Sequence, residues 1–294
     1  MMKNNKLTPY LLIAPAVILM LLIVAYPIAR SMSMSFLKYV LYRPFDIQFV
    51  GLVNYFQVFK DPVFKQSFLN TLYWVGFGVF FQLIFGLVLA MLLNQDFKGR
   101  GLVRSLVLIP WVTPGILIGL MWTWMYDGNY GVINDVLHKL NIIKDYIPWL
   151  ARSNTSLGSV IVTIIWQGIP FFAIMILASL QTIPRELYEA AEVDGARPWQ
   201  SFVHVTFPMI KQTVFVTSLL RIIWVANSVD VIYIMTNGGP GYSSLTLSVY
   251  TFVKARAALD FGYASTLSIC LTLMLSLVLV VYLRTLSKQE ARLR

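Results

Sequence analysis

The chain has 294 residues, of which 58% are hydrophobic and 12% are charged. A soluble domain carries about a quarter charged residues, so this composition excludes an ordinary soluble protein. The net charge is +10, but the basic residues are scattered, with no Lys/Arg run and no zinc-finger spacing, which excludes nucleic acid as a partner. Membrane lipid is the expected counter-charge. The single cysteine, Cys270, allows no disulfide within the chain.

Six stretches are almost free of charge, and each is long enough to cross a bilayer, which takes roughly 20 apolar residues. The first follows Lys3 and Lys6, but its apolar run is too long for a signal peptide and predicts a retained anchor. The predicted fold class is an all-α integral membrane protein, with residues 1–294 as a single transmembrane domain. The predicted spans are residues 7–29, 69–93, 105–126, 157–180, 212–236 and 261–283.

The segments between the spans differ in their content of Lys and Arg. Basic residues are denser in the set of segments that contains both termini than in the other set. The positive-inside rule therefore predicts that this set, and both termini, lie in the cytoplasm. The cytoplasmic set consists of residues 1–8, 94–104, 181–211 and 284–294.

Two of the outer segments have local structure that the residue pattern predicts. Apolar residues recur at helical spacing over 52–59 and indicate a short amphipathic helix that could lie on the outer membrane surface. Residues 236–241 contain two glycines before a proline, so they predict a turn.

The inner segment 181–211 predicts a short helix that is stopped by a glycine. Pro184 suits the first turn of a helix, where its missing N–H costs nothing. Gly195 offers the left-handed conformation that ends a helix. Between them, Ala190 and Ala191 leave a small surface that the backbone of another protein can approach closely. From the residues alone, an ordinary amphipathic inner loop is the alternative.

This segment resembles the EAA motif of ABC importer permeases, E-A-A-x-x-x-G-x9-I-x-L-P. The motif residues here are Glu189-Ala190-Ala191, Gly195 and Val205-Thr206-Phe207-Pro208, with apolar replacements for Ile and Leu. The short amino terminus and short basic tail are similar to the first subunit of the maltose and glycerol-phosphate systems. Further segments, over nearly the whole chain, resemble the sugar-permease branch. These segments are residues 50–55, 70–71, 130–134, 236–240 and 261–265.

The resemblance implies the transmembrane domain of a type I ABC importer, with six spans and a cytoplasmic EAA coupling helix between spans four and five. It implies four kinds of partner: a second permease subunit in a heterodimer, two cytoplasmic ABC ATPase subunits, an extracellular or periplasmic solute-binding protein, and membrane lipid. The implied location is the cytoplasmic (inner) membrane of a bacterium or archaeon. The coupling residues would be Glu189, Ala190, Ala191, Gly195 and Pro208.

The resemblance also implies that this chain is not an enzyme. ATP and Mg would be used by the partner ATPase, and this chain would bind no cofactor and no metal. The sequence agrees, because no phosphate-binding G-x-x-x-x-G-K-[ST] loop occurs in it.

Span five carries two ionisable residues, Arg221 and Asp230, and such residues are costly inside a membrane. On one helix they would lie about 180° apart, so each is expected to find a partner elsewhere. For Arg221, a structural pairing and a role in the solute path are both open. Trp224 and Asn227 follow Arg221 at i+3 and i+6, and an aromatic face with an amide suits a sugar.

By resemblance to the maltose-type permease, the middle of span four also contributes solute contacts. The residues there are Trp166, Gln167, Gly168 and Phe171. Pro170 lies among them and removes a backbone hydrogen bond, although a simple buried proline kink is the alternative. The full candidate path is Trp166, Gln167, Gly168, Phe171, Arg221, Trp224, Asn227 and Asp230.

Two other classes of protein are less consistent with the sequence. A membrane enzyme would need a nucleophile, base or metal constellation, and neither H-E-x-x-H nor G-x-S-x-G occurs. A secondary transporter or channel would carry ionisable residues in several spans, whereas here they lie in span five. The expected solute is a sugar or oligosaccharide. Glycerol phosphate or a polyol is the alternative, for which Arg221 would supply the cation.

Overall fold

The computed structural model describes residues 8–43 and 45–293, so Leu7, the first residue of the first predicted span, lies outside the described residues. Helices dominate the described part, with one short antiparallel ribbon. Contacts divide the chain into two units. One comprises Met1–Phe64 and Tyr250–Met274, and the other Lys65–Val249 and Leu275–Arg294.

The described part of the first unit begins with a long apolar helical run at Thr8. In chain order its elements are α1 (Thr8–Met20), a π-helical turn (Leu21–Ala25), α2 (Tyr26–Met34), β1 (Leu37–Lys38), β2 (Gln48–Phe49) and α3 (Val53–Lys60). The helix α3 lies where the sequence predicts an amphipathic helix. Its buried Asn54 donates hydrogen bonds to the carbonyl oxygens of Ser35 and Leu37, each at 2.9 Å.

The second unit is built around long apolar helices. The helix α4 covers Pro62–Leu93, and its apolar length is typical of a membrane-crossing segment. After it come the shorter helices α5 (Arg100–Val107), α6 (Ile109–Val112), α7 (Gly115–Met125) and α8 (Val132–Lys139).

The region predicted as the third span, residues 105–126, is not one straight helix. The helix pair Arg100–Val112 and Gly115–Met125 bends by 91° at its break. Thr113 has an extended backbone with ψ 130°, because the ring of Pro114 disfavours the helical conformation for the residue before it. Pro114 therefore interrupts the helix within this predicted span.

The next elements lead through the predicted coupling segment. They are α9 (Ser156–Leu180), α10 (Arg185–Val193), α11 (Pro198–Ser201), a π-helical turn (Phe202–Thr206), α12 (Phe207–Asn227) and α13 (Asp230–Met235). The helix α9 continues through Pro170, which is buried. Pro208 lacks an N–H donor for the preceding turn, and the π-helical turn lies directly before it.

The region predicted as the fifth span also has a break. Ser228 is extended with ψ 125°, so α12 ends before it and Asp230 begins a new helix. Arg221 and Asp230 therefore lie on different helices, and the 180° separation expected on one helix does not apply. The predicted turn follows α13, and Gly238 and Gly241 have positive φ there.

The chain ends with α14 (Leu247–Arg256) and α15 (Phe261–Leu293). In the first unit, a side chain at Gly262 would collide with the carbonyl oxygen of Leu37, so only glycine permits this approach. Among the described residues, five helices are long and apolar enough to cross a membrane, or six if the bent pair forms one span.

Candidate solute path and coupling helix

Arg221 is buried in the second unit and pairs with a neutral amide. Its Nε donates a hydrogen bond of 2.9 Å to Oε1 of Gln82 on α4, and the Gln82 amide donates at 2.6 Å to the carbonyl oxygen of Ile164. The guanidinium also lies over the ring of Phe171, 5.8 Å from its centroid. The arginine therefore has a desolvated partner on another helix, as the sequence requires of a charge among apolar spans.

Gly168 makes the position of Gln82 possible. A Cβ at residue 168 would collide with the carboxamide of Gln82, and both residues are buried. The helices α4 and α9 can therefore approach closely at this level. The Gln82 amide fills the space that a side chain at position 168 would otherwise occupy.

An aromatic group packs beside this buried pair. The ring of Phe171 lies 5.2 Å from that of Trp224 and 5.9 Å from that of Trp111, measured between ring centroids. Such spacings are typical of attractive aromatic pairs. Phe171 is buried, whereas Trp224 is 46% exposed and Trp111 is 41% exposed, so two of the three rings present surface outside the chain.

Polar groups extend this exposed surface along α12 and α13. Asn227 is exposed and donates to the carbonyl oxygen of Ile223 at 2.8 Å. Asp230 is also exposed, and a Cβ on Gly115 of α7 would lie 3.2 Å from the Asp230 Cβ. Trp224, Asn227 and Asp230 are thus three exposed side chains on α12 and α13: an aromatic ring, an amide and a carboxylate.

Trp166 and Gln167 are half-buried on α9. The ring of Trp166 packs edge-on against Trp122 of α7, with 5.7 Å between centroids. The structure therefore joins Gly168, Phe171, Arg221 and Trp224 through contacts, and places Trp166 in a separate aromatic pair.

Sequence reasoning did not identify Gln82, Trp111 or Gly115 as members of this site. Gln82 did carry a detectable signal, because an amide in the middle of an apolar span is costly without a partner. Trp111 and Gly115 carried none, since their places depend on the bend between α6 and α7.

The predicted coupling helix is α10, and its end has the geometry of a Schellman motif. Gly195 has φ +75°, its N–H donates to the Glu192 carbonyl at 3.0 Å, and the Ala196 N–H donates to the Ala191 carbonyl at 2.9 Å. Both bonds satisfy carbonyl groups that a helix end leaves free. The side chain of Val193 is 88% exposed, so an apolar residue of α10 faces away from the chain.

The small residues of α10 frame a groove rather than a packed contact. Ala190, Ala191 and Gly195 line a cavity of about 400 Å³ together with residues of the following helices. Glu189 is exposed on the same helix, and Pro208 is exposed at the start of α12. A hydrogen bond of 3.0 Å between the hydroxyls of Tyr188 and Thr206 holds α10 against the π-helical turn.

The described residues contain no group of three or more His, Cys, Asp and Glu side chains that could hold a metal ion. The site instead offers groups for non-covalent contact: aromatic faces, amides and one buried cation. Long apolar helices with polar and aromatic groups between them, followed by an exposed helix, indicate the transmembrane part of a transporter.

Comparison with known proteins identifies the kind of transporter. The family described as binding-protein-dependent transport system inner membrane component matches residues 82–294, and the chain belongs to this family. This component is the non-catalytic, membrane-bound subunit of an ABC importer, and ATP hydrolysis resides in a separate subunit. The predicted class and fold are confirmed.

Curated relatives match almost the full length. The chain is 39% identical to the sulfoquinovosyl glycerol transport system permease protein SmoG of Agrobacterium fabrum, over 98% of this chain and 92% of the relative. It is 33% identical to the trehalose/maltose transport system permease protein MalF of Thermococcus litoralis, over 94% of this chain and 92% of the relative.

Solved structures share the fold. A chain of a bacterial ABC transporter involved in the import of the acidic polysaccharide alginate matches with a TM-score of 0.81 and 22% identity, over 97% of this chain and 96% of that chain. A chain of the MetNI methionine ABC transporter matches with a TM-score of 0.55, over 77% and 95%.

Proposed function

We propose that this chain is the permease subunit of a sugar or oligosaccharide importer and pairs with a second, different permease. The names of the two curated relatives, sulfoquinovosyl glycerol and trehalose/maltose permeases, support a glycoside as the solute. An extracellular or periplasmic binding protein delivers it, and two cytoplasmic ATPase subunits, which use ATP and Mg, drive alternating access.

The observation that carries the coupling part of this proposal is the exposed, glycine-terminated end of α10. Its small residues Ala190 and Ala191 border a groove, and Val193 projects an apolar side chain outward. An ATPase surface can close over such a helix without displacing large side chains. Glu189 and Pro208 belong to the same proposed coupling element, with Gly195 fixing its end.

The proposed solute path is formed by the exposed side chains of Trp224, Asn227 and Asp230, backed by Phe171 and Arg221. A sugar offers C–H faces that stack on Trp224, and hydroxyls that pair with an amide and a carboxylate. Because these side chains are exposed in the single chain, a second permease would complete the walls of the path. Gln167 and Trp166 are proposed to lie at its side, and Gly168 to set the spacing of α4 and α9.

A glycerol-phosphate or polyol permease is the second candidate, and one observation favours the anionic solute. The Nη2 of Arg221 is buried and has no hydrogen-bond partner within the described part of the chain. A phosphate could supply the missing acceptor. Uptake assays with maltose, glycerol phosphate and a polyol in the assembled transporter would separate these solutes.

Gly195→Val tests the coupling role. A β-branched residue at φ +75° is strained by about 1–3 kcal/mol, so we expect α10 to lose its end geometry. Since 1.4 kcal/mol is tenfold in an equilibrium, ATPase association should fall by about fivefold to a hundredfold. Co-purification of the ATPase subunits from membranes, at equal permease content, measures this.

Gly241→Val is the matched control. Gly241 is also exposed, has φ +54° and has open space where a Cβ would lie, but it belongs to the outer turn after α13. This variant should retain the ATPase subunits at the level of the unsubstituted protein. Full ATPase recovery with Gly195→Val would remove the proposed role of α10.

A further inference from the structure

Three arginines converge on a cavity where several helices end. The cavity has a volume of about 450 Å³ and lies among the residues after α4, the start of α5, the end of α9 and the start of α10. Arg100 and Arg104 line it from α5, and Arg185 lines it from α10. The candidate solute path uses none of these residues.

The lining carries more positive than negative charge. Asp96 forms an ion pair with Arg100, and its carboxylate lies 4.0 Å from Nη2 of Arg185. None of the other described residues that line the cavity is Lys, Arg, Asp or Glu. Three guanidinium groups therefore share one carboxylate, and an anion entering the cavity would meet a favourable field.

Arg104 is held in place but lacks an acceptor for one of its donors. Its Nη2 donates at 2.8 Å to the carbonyl oxygen of Leu93, the last residue of α4. Its Nε is buried, and the described residues offer it no hydrogen-bond partner. Arg104 is therefore anchored through Nη2 and keeps one unpaired donor, Nε, and a nearby oxyanion acceptor would satisfy it.

The depth of the cavity indicates where the anion comes from. The apolar helices α4 and α9 end at Leu93 and Leu180, and the cavity lies directly beyond both ends. The ends of apolar spans coincide with the lipid headgroup region, and basic pockets between helices at that level bind phosphate headgroups.

We propose that this cavity binds the phosphate of an anionic phospholipid. Guanidinium groups pair with phosphate oxygens through two parallel hydrogen bonds, which a lysine cannot reproduce. A zwitterionic headgroup would bring its ammonium group towards three arginines and is disfavoured. The bound phosphate would bridge Arg104 of α5 and Arg185, the first residue of α10. Its effect on uptake rests on the proposed function, whereas binding itself does not.

The test uses the complete transporter in nanodiscs of phosphatidylcholine, with or without phosphatidylglycerol. Native mass spectrometry of the released complex counts retained lipids. We expect phosphatidylglycerol to be retained several-fold over phosphatidylcholine, and this excess to vanish in the double variant Arg104→Gln with Arg185→Gln. The control Lys139→Gln removes one positive charge from an exposed ion pair on α8 and should keep the excess.

Three results would overturn the proposal. The first is an unchanged phosphatidylglycerol excess in the double variant. The second is complete displacement of phosphatidylglycerol by millimolar inorganic phosphate, which would make the cavity a site for a soluble anion. The third is equal loss of the ATPase subunits from the double variant in both nanodiscs, which would show that the arginines contact a protein.

An uptake assay in the same lipids separates this proposal from the proposed function. We expect phosphatidylglycerol to stimulate uptake by the unsubstituted transporter, and the double variant to lose that stimulation while keeping its rate in phosphatidylcholine. Gly195→Val should lose ATPase association while retaining phosphatidylglycerol. Loss of lipid in Gly195→Val, with the double variant unaffected, would contradict the assignment of this cavity.

Discussion

Asparagine side chains fix several of the connecting segments in this permease. Asn134 donates to the carbonyl oxygens of Asp127 and Ile147, and its Oδ1 accepts from the Ile147 N–H and from the Trp149 indole. It is fully buried, so each of these bonds replaces lost hydration. Asn54 holds its own neighbouring loop in the same way. The segments 50–55 and 130–134, which resemble the sugar-permease branch, therefore contain residues that fix loops, and this role requires no contact with the solute.

Substitution of Gln82 should show how much the free energy of unfolding falls when the buried Arg221 loses its acceptor. In Gln82→Leu the arginine loses the acceptor of its Nε while remaining desolvated. A hydrogen bond to a charged group is worth about 1.5–3 kcal/mol, so we expect a loss of that size in unfolding free energy. Chemical unfolding in detergent, followed by tryptophan fluorescence, measures it.

Two further variants show whether the loss comes from the stranded charge. Gln82→Glu keeps an acceptor for Arg221 but loses the donor to the Ile164 carbonyl, so it should recover only part of the stability. Gln82→Leu combined with Arg221→Met removes both polar groups and should be more stable than Gln82→Leu alone, because no charge is left unpaired. Equal stability of Gln82→Leu and the unsubstituted chain would contradict this interpretation of the pair.

The need for a partner of Arg221 could be predicted from the sequence, but the partner could not. Gln82 and Arg221 are separated by 139 positions, and nothing local relates them. Their meeting depends on the register of α4 against α9 and α12, which arises from many small packing contacts. An isolated polar residue in an apolar span indicates that a pair exists, while the tertiary packing selects its members.

At the level of elements, α4 and α9 are held together by a glycine contact. A Cβ on Gly86 would collide with Phe172 and lie 3.1 Å from the carbonyl oxygen of Ile169. Small residues allow helix backbones to approach closely in membranes, where dispersion forces dominate association. The two helices therefore pack at this level because residue 86 has no side chain.

Gly86→Ala should destabilise the chain, while Gly76→Ala on the same helix should not. Overpacking at Gly86 should cost about 1–3 kcal/mol of unfolding free energy, since the opposing atoms are backbone and Cβ atoms that cannot rotate away. Gly76 has open space where a Cβ would lie, so alanine there should stabilise the helix by up to about 0.5–1 kcal/mol. Unfolding curves for the two variants provide the comparison, and identical curves would refute this contact.

The breaks within the apolar segments show what composition leaves undetermined. Residues 105–126 and 212–236 are each predicted as one apolar span. The first is bent by 91° at Thr113–Pro114, and the helix of the second is interrupted at Ser228. Pro114 offered a visible reason for the first break. Serine is not a residue that breaks helices, so the type of residue 228 gave no reason to expect the second break.

A carboxylate ties α14 to the start of α15 within the first unit. Asp61, directly before α4, accepts hydrogen bonds of 2.6 Å from the hydroxyls of Tyr250 on α14 and Tyr263 on α15. Burial alone would raise the pKa of Asp61, but the hydrogen bonds from the two tyrosines and from the Val63 N–H outweigh it and lower this pKa below its ordinary value. The ionised carboxylate is thus the form that the fold stabilises.

This lowered pKa predicts an acid-dependent loss of stability. Because the folded pKa lies below the unfolded one, the stabilisation is present above the unfolded value of about 3.9 and is lost as the pH falls through the folded value. The unsubstituted chain should therefore unfold at a higher temperature than Asp61→Asn at pH 7, and the difference should shrink below about pH 4. Thermal unfolding in detergent from pH 7 to pH 3 measures it. A difference that grows on acidification would reverse the sign of the linkage.

At the scale of the whole molecule, the proposed function depends on which end of α9 faces the cytoplasm. This helix has 25 residues and so a length of about 37 Å, which exceeds a hydrocarbon core of about 30 Å. The segments at its two ends must therefore lie on opposite sides of the membrane. Only the direction is open, and the density of Lys and Arg favours α10 on the cytoplasmic side.

The single cysteine makes this direction measurable. In a Cys270→Ser background, Asn129→Cys places a thiol before α9, and Val193→Cys places one after it, at a position that is 88% exposed. A membrane-impermeant maleimide added to intact cells, with the outer envelope made permeable where one is present, should label residue 129. Residue 193 should react after the cytoplasmic membrane is opened. The reverse pattern would place α10 outside, where no ATP-hydrolysing subunit could reach it, and would remove the physical basis for coupling.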